Sequence, residues 1–164
     1  MRHRRLPRLN LARRTYYLTC CIHGRRALLA NPALAERLIR LYAGQRDEGR
    51  IKLHGYVVMP DHYHVLLTLR GGSCVSEVVR AVHSVFAKEC RRATGTQGRV
   101  WQKRFYDRVV RSESDLHEKL DYVHGNPVRA GLAESPGDYV RSSFAFWDSG
   151  RGVVSCDPLA WDET

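Results

Sequence analysis

At 164 residues and 43% hydrophobic content, the chain is long enough for one globular domain with a single core. Its 27 lysines and arginines against 17 acids leave a net charge of +10 and a pI near 9.8, which is typical of proteins that bind a polyanion. Nucleic acid is the leading candidate and an anionic membrane the weaker one, because no basic amphipathic helix has a strong apolar face. No apolar segment is long enough to span a membrane, and no signal peptide is recognisable after the basic N terminus, so we expect a cytoplasmic protein. The five cysteines form no C-x-x-C pair, so we expect free thiols.

The first 14 residues are predicted to be a basic arm separate from the folded domain. They contain six arginines and no acid. Such an arm could neutralise DNA phosphates, or it could simply be a solubilising tail. The candidate phosphate contacts are Arg4, Arg5, Arg8, Arg13 and Arg14.

Three strands and one helix are predicted in the first 70 residues. β-branched and aromatic residues, with turn residues between them, predict strands at 15–22, 51–59 and 62–69. Asn31 and Pro32 predict the start of a helix that ends near residue 48, with the asparagine as its N-cap.

The third strand carries two histidines separated by one residue, His62-Tyr63-His64. Because side chains alternate along a strand, both histidines point to one face and Tyr63 points to the other. Two imidazoles on one face can hold a divalent metal ion. The motif is short and common, so the alternative is a pair of unrelated histidines, each hydrogen-bonded to a neighbour.

A second helix is predicted after the glycines at 71–72. Its buried side is formed by Val75, Val78, Val79, Val82, Val85 and Phe86. Its other side has a basic stripe, Arg80, Lys88 and Arg91, which suits a phosphate backbone. The alternative is an ordinary solvated helix face.

Residues 100–106 interleave aromatic and basic side chains. Trp101 could stack on an unpaired base while Lys103 and Arg104 contact phosphates. The same tryptophan could also belong to the core, with the charges at the surface. A fourth strand is predicted over 106–111.

A third helix is predicted to begin after Ser112, which would be its N-cap. Its buried stripe is formed by Leu116, Leu120 and Val123. At about 100° per residue Tyr122 lies off this stripe, with Asn126 one turn later and Lys119 one turn earlier near the same face.

Gly125-Asn126-Pro127 predicts an interruption of this helix, because the residue before a proline is biased away from the α conformation. Asn126 would then be the N-cap of a short helix closed by Gly131, although an N-cap can still direct its side chain elsewhere. Beyond residue 134 we expect a loop, with disorder from Asp157 onwards. Its aromatic residues are expected to cover a sheet edge: Tyr139, Phe144, Phe146 and Trp147.

The predicted element order is β-α-β-β-α-β followed by helices, which is the ferredoxin-like α+β pattern. It implies a four-stranded antiparallel sheet with the first and third strands at its centre. The histidines would lie on a central strand, on the face to which the C-terminal helices could bring Tyr122. We predict one domain over 15–148 and a C-terminal tail over 149–164.

Four segments of the chain match motifs that occur together in one family. Residues 55–64 (GYVVMPDHYH) resemble the His-hydrophobe-His motif of the HUH single-strand endonucleases. Residues 101–107 (WQKRFYD), 121–132 (DYVHGNPVRAGL) and 138–143 (DYVRSS) are similar to the REP-associated tyrosine transposases of that superfamily. The resemblance covers roughly residues 13–148.

The resemblance implies a metal-dependent transposase that cleaves and rejoins single-stranded DNA at hairpin-forming repetitive palindromes. Tyr122 would be the nucleophile and would form a 5′-phosphotyrosine. His62 and His64 would bind Mg²⁺ or Mn²⁺, with Asn126 as a candidate third ligand. Lys119 could stabilise charge that develops on the phenolate or phosphate. A monomer is expected, although some members of the superfamily share active sites between two subunits.

Two positions depart from the family pattern: Tyr63 replaces an aliphatic residue and Asp61 stands where asparagine is common. Neither change removes a ligand. Tyr106 is the rival nucleophile, because it begins a strand in a basic, aromatic segment. Two other functions stay open: a non-catalytic module that binds single-stranded nucleic acid, and a metal-dependent hydrolase that uses activated water.

Overall fold

The computed structural model of the protein describes residues 13–161, so Arg4, Arg5 and Arg8 of the predicted arm lie outside it. Within the described residues the strands are β1 (Thr15–Cys21), β2 (Ile51–Val58), β3 (His62–Leu69) and β4 (Tyr106–Val109). The α-helices there are α1 (Pro32–Asp47), α2 (Val75–Thr94), α3 (Glu113–Arg129) and α4 (Phe144–Ser149). Asn31 caps α1 as predicted, because its side chain accepts a hydrogen bond from the Ala33 amide at 3.0 Å.

The sheet confirms the predicted ferredoxin-like α+β fold. All three strand pairs are antiparallel, and the strand order is β2-β3-β1-β4, with β3 and β1 at the centre. The main core lies between the sheet and helices α1 and α2. A smaller core lies on the opposite face, beneath α3.

Helix α3 packs closely against the sheet. Leu116, Leu120 and Val123 are buried, as their spacing predicts, whereas Tyr122 is 45% exposed. The backbone of β2 approaches α3 at Gly55, where an added Cβ would overlap the side chain of Leu120. A glycine at this position therefore lets the helix lie against the face that carries the histidines.

The predicted interruption of this helix at Asn126 is wrong. Helix α3 continues through Pro127 to Arg129, and Asn126 lies inside it, where the Asn126 carbonyl accepts the Ala130 amide at 3.0 Å. Proline removes one donor in the last turn, and the buried stripe and Pro127 itself, also buried, hold the helix against the sheet. Asn126 is thus free of a capping role.

Two further predictions are corrected. Val85 is 42% exposed and does not belong to the buried side of α2. Residues 157–161 are ordered against the domain, because the Asp157 backbone amide donates to the Leu53 carbonyl at 2.6 Å and the Leu53 amide donates to the Asp157 carboxylate at 2.7 Å. Val154 and Cys156, within the predicted tail, are buried in the main core.

The segment around Tyr139 covers the β2 edge, as predicted. The Tyr139 hydroxyl donates to the Val58 carbonyl at 2.7 Å, and the Trp147 indole donates to the His54 carbonyl at 2.9 Å. These hydrogen bonds occupy backbone carbonyls of β2, which is an edge strand of the sheet. In the part of the chain that the structure describes, no helix is long and apolar enough to cross a membrane.

Candidate active site

The side chains of the candidate site meet on the α3 face of the sheet because of strand register. His64 of β3 lies directly beside Thr19 of β1, and Thr19 lies beside Tyr106 of β4. Tyr17, two residues before Thr19, is therefore on the same face. Tyr63 points to the other face, where it is fully buried and its hydroxyl is 2.7 Å from that of Tyr42.

His64 is held on both ring nitrogens. The Asn126 amide nitrogen donates to Nε2 at 2.9 Å, which places the ring proton on Nδ1. The Nδ1–H group then donates to the oxygens of Tyr17 and Thr19, each 2.8 Å away. Burial, reinforced by nearby His62, lowers the pKa of His64 to about 3, so its imidazole is neutral in solution near pH 7.

His62 is oriented by a carboxylate. Its Nδ1 donates to Asp61 at 2.6 Å, and Arg25 forms an ion pair with the second oxygen of Asp61 at 3.1 Å. The carboxylate that departs from the family pattern thus fixes the ring. Such carboxylate–histidine pairs commonly orient metal ligands in proteins.

The donor set fits a divalent metal ion. Both histidines are held through Nδ1 by residues other than Asn126, and the two ring centroids are 5.0 Å apart. Nε2 of each ring could therefore bind a metal ion, which at His64 would replace the hydrogen bond from Asn126. Asn126 presents its amide 2.9 Å from Nε2 of His64, about the separation of adjacent ligands on one ion with bonds of roughly 2.1 Å. The candidate donors are the two histidines and the Asn126 amide; among the described residues no cluster of three or more His, Cys, Asp or Glu that could hold a metal is present.

Tyr122 lies beside His64 on the helix wall of the site. Its ring centroid is 6.2 Å from that of His64 and 6.1 Å from that of Tyr17. The Arg129 guanidinium lies over the Tyr122 ring, 4.1 Å from the centroid, and also donates to the Tyr122 carbonyl. Arg129 reaches this position over Gly125, where an added Cβ would be 2.6 Å from its Nη1.

A cavity of about 390 Å³ opens between the sheet and α3. We call it the Tyr122 cavity; its lining residues are Tyr17, Thr19, His64, Tyr106, Arg108, Lys119 and Tyr122. Lys119 and Arg108 form ion pairs with the same carboxylate, Asp115, at 3.6 and 3.4 Å. Two cations share one acid, so the cavity favours an anion.

Sequence reasoning missed three of the residues that complete this site. Tyr17 and Thr19 stand in an ordinary β-rich segment, and Arg129 is seven residues from Tyr122, which is two helical turns along one face. The helical period could have indicated Arg129. The strand residues depend on register between segments that are distant in sequence.

The predicted DNA-binding residues do not gather in this cavity. Arg80, Lys88 and Arg91 are exposed on α2, which covers the other face of the sheet, and Arg91 donates to the Gly98 carbonyl at 3.0 Å. The remaining predicted residues lie outside α2. Lys103 and Arg104 are exposed before β4, Arg13 is exposed before β1, and Arg14 is half-buried.

Trp101 is a core residue in this structure. It is 7% exposed, and its ring stacks on His83 with centroids 3.9 Å apart. Burial lowers the pKa of His83 to about 3. These contacts favour the core alternative over base stacking.

The ferredoxin-like sheet, with the histidine pair and the neighbouring helical tyrosine on one face, fits the resemblance to the tyrosine transposases, a class of DNA-cleaving enzymes. Comparison with known proteins agrees: the family model described as "Transposase IS200 like" matches residues 11–126. The chain belongs to this family.

Two relatives extend the comparison. A REP-associated tyrosine transposase from Escherichia coli (strain K12) is 27% identical over 148 residues, which cover 90% of this chain and 84% of that protein. The solved structure of a REP-associated tyrosine transposase bound to a REP hairpin superimposes with a TM-score of 0.71 at 26% identity, covering 98% of this chain and 92% of the other. The resemblance drawn from the sequence motifs is confirmed.

Proposed function

We propose that this protein is a metal-dependent transposase that cleaves and rejoins single-stranded DNA through a 5′-phosphotyrosine on Tyr122. The observation that carries the proposal is the placement of Tyr122 in one cavity with His64 and Lys119. The hairpin bound by the solved relative supports hairpin-forming repetitive palindromes as the substrate. Such an enzyme would act as a monomer on DNA in a bacterial-type cytoplasm.

The proposed reaction is a transesterification. The Tyr122 phenol oxygen attacks the scissile phosphorus, the bond from phosphorus to O3′ breaks, and the 3′ oxygen leaves as a hydroxyl after gaining a proton. The phenol gives up its proton to solvent. One phosphodiester replaces another, so the reverse attack by a 3′-hydroxyl rejoins DNA without ATP.

His62, His64 and Asn126 would hold Mg²⁺ or Mn²⁺ beside this reaction. Such an ion would withdraw charge from the scissile phosphate. For the amide to serve as a ligand, Asn126 must turn its oxygen, rather than its nitrogen, towards the site. Tyr17, Thr19 and Asp61 keep the two imidazoles oriented while the amide turns.

Two cations would assist Tyr122 directly. Lys119 lines the cavity and would stabilise negative charge that develops on the phosphate. Arg129 contacts both the ring and the carbonyl of Tyr122, so it would hold the ring in place. The exposed cations Arg80, Lys88, Arg91, Lys103 and Arg104, with the arm arginines, would contact phosphates outside the cavity.

Substitution of Tyr122 by phenylalanine tests the proposal. It removes a hydroxyl from a half-exposed ring, so the variant should melt at the wild-type temperature and bind hairpin DNA, yet form no covalent adduct on a denaturing gel with Mn²⁺. Tyr106→Phe is the matched control and should keep the adduct. Mass spectrometry should place the phosphonucleotide on the Tyr122 peptide.

Three outcomes would contradict the assignment. An adduct that persists in Tyr122→Phe, or one that maps to Tyr106, would identify another nucleophile. Cleavage without any adduct would favour the hydrolase, and binding without cleavage would favour the non-catalytic module.

A further inference from the structure

Tyr106 is an exposed aromatic residue on the sheet wall of the Tyr122 cavity. It is 58% exposed, and among the described residues the other tyrosine exposed to a comparable degree is Tyr122. Tyr106 begins the edge strand β4 and lies beside Thr19, which lies beside His64. Its ring therefore lies on the same face of the sheet as His64, with Thr19 between them, and both residues line the cavity.

The surroundings of this ring are cationic. Arg108 follows on the same face of β4, and Lys119 faces the cavity from α3. The one acid they share, Asp115, also accepts the Arg111 backbone amide at 3.0 Å, so its negative charge is distributed over three donors. The cavity thus presents an open aromatic ring beside excess positive charge.

An exposed ring next to two cations that share one carboxylate suits a nucleotide better than an apolar ligand. A base can stack on the ring irrespective of its sequence, while the adjacent phosphate contacts the cations. A purely structural tyrosine would instead bury most of its ring, as Tyr63 does on the opposite face of the sheet.

We propose that Tyr106 is a stacking platform for an unpaired base of the DNA that enters the Tyr122 cavity, with Arg108 and Lys119 contacting the phosphate of that nucleotide. The proposal rests on the proposed function for the identity of the ligand. It assigns Tyr106 a binding role through its ring, in place of the nucleophilic role that its hydroxyl could have had.

The test uses fluorescence of 2-aminopurine, which is quenched by stacking. The probe is a DNA hairpin with an unpaired tail, selected for binding to the full-length protein, with 2-aminopurine placed in turn at each unpaired position. The protein carries Tyr122→Phe, so that the DNA stays intact. At one position we expect quenching that survives Tyr106→Phe and disappears in Tyr106→Ala, with affinity lowered roughly 5- to 150-fold in the alanine variant.

Val140→Ala, at a residue that is 78% exposed and outside the cavity, is the control and should leave quenching and affinity unchanged. Equal quenching in Tyr106→Phe and Tyr106→Ala at every position would overturn the proposal. So would a loss in Tyr106→Phe as large as that in Tyr106→Ala, because it would assign the effect to the hydroxyl. Adduct formation by the wild-type protein is measured separately, so failure of cleavage is distinguished from failure of stacking.

Discussion

Gly125→Ala should separate the stability of helix α3 from the activity of Tyr122. Gly125 lies inside the helix, and glycine costs about 1 kcal/mol relative to alanine in a helix interior. The new methyl group would be 2.6 Å from Nη1 and 3.5 Å from Cζ of Arg129 in its present position. Because these atoms belong to a flexible side chain, the guanidinium would move away and leave Tyr122.

The opposing contributions to stability are of similar size. The variant gains about 1 kcal/mol of helix propensity and loses a partly exposed cation–π contact worth about 0.5–1 kcal/mol. The free energy of unfolding should therefore change by less than about 1 kcal/mol. Adduct formation should slow roughly two- to fivefold, since a contact of about 0.5–1 kcal/mol that supports the reacting ring would be lost from the transition state.

The assay combines urea denaturation with single-turnover adduct formation. In an Arg129→Ala background, Gly125→Ala should stabilise the protein by the full propensity difference of about 1 kcal/mol and slow the reaction no further. Gly44→Ala is the matched control, because Gly44 lies inside α1 with nothing within 4 Å of an added Cβ, and it should stabilise the protein without affecting the rate. A Gly125→Ala variant that reacts at the wild-type rate would refute the proposed role of Arg129.

Three other predictions concern the metal, pH and salt. Asn126→Ala should change the free energy of unfolding by less than about 1 kcal/mol, because the gain in helix propensity is offset by the lost hydrogen bond to Nε2 of His64. The variant should weaken Mn²⁺ binding in calorimetry, and unchanged binding would exclude Asn126 as a ligand. The pKa of His83 is about 3 in the folded state against about 6.5 when unfolded, so the contribution of neutral His83 to the free energy of unfolding is complete above pH 6.5 and is lost as the pH falls. From pH 8 to 5 the wild type should lose about 2 kcal/mol more stability than His83→Gln. Parallel curves of stability against pH for the two proteins would contradict this. Hairpin binding should weaken with salt, and each contacted phosphate on a single strand should add about 0.7 to the log–log slope. Removal of residues 1–12 should make that slope shallower; an unchanged slope would limit the arm to solubility.

The sequence by itself determined the features that depend on local periodicity. The two-residue period of a strand separated His62 and His64 from Tyr63, and the helical period placed Tyr122 off the buried stripe of Leu116 and Leu120. Element order alone was enough to predict the sheet and its central strands. These properties follow from residues that are close together in the chain and can therefore be predicted from the sequence.

Only the tertiary structure decided which distant segments meet. The register between β1 and β3 brings Tyr17 and Thr19 to His64, and no local pattern in β1 distinguishes them from other strand residues. Packing likewise decided that Trp101 stacks on His83 inside the core, and that α3 passes through Pro127 unbroken. In each case a local preference is weak, about 1 kcal/mol or a few, and burial against another element outweighs it.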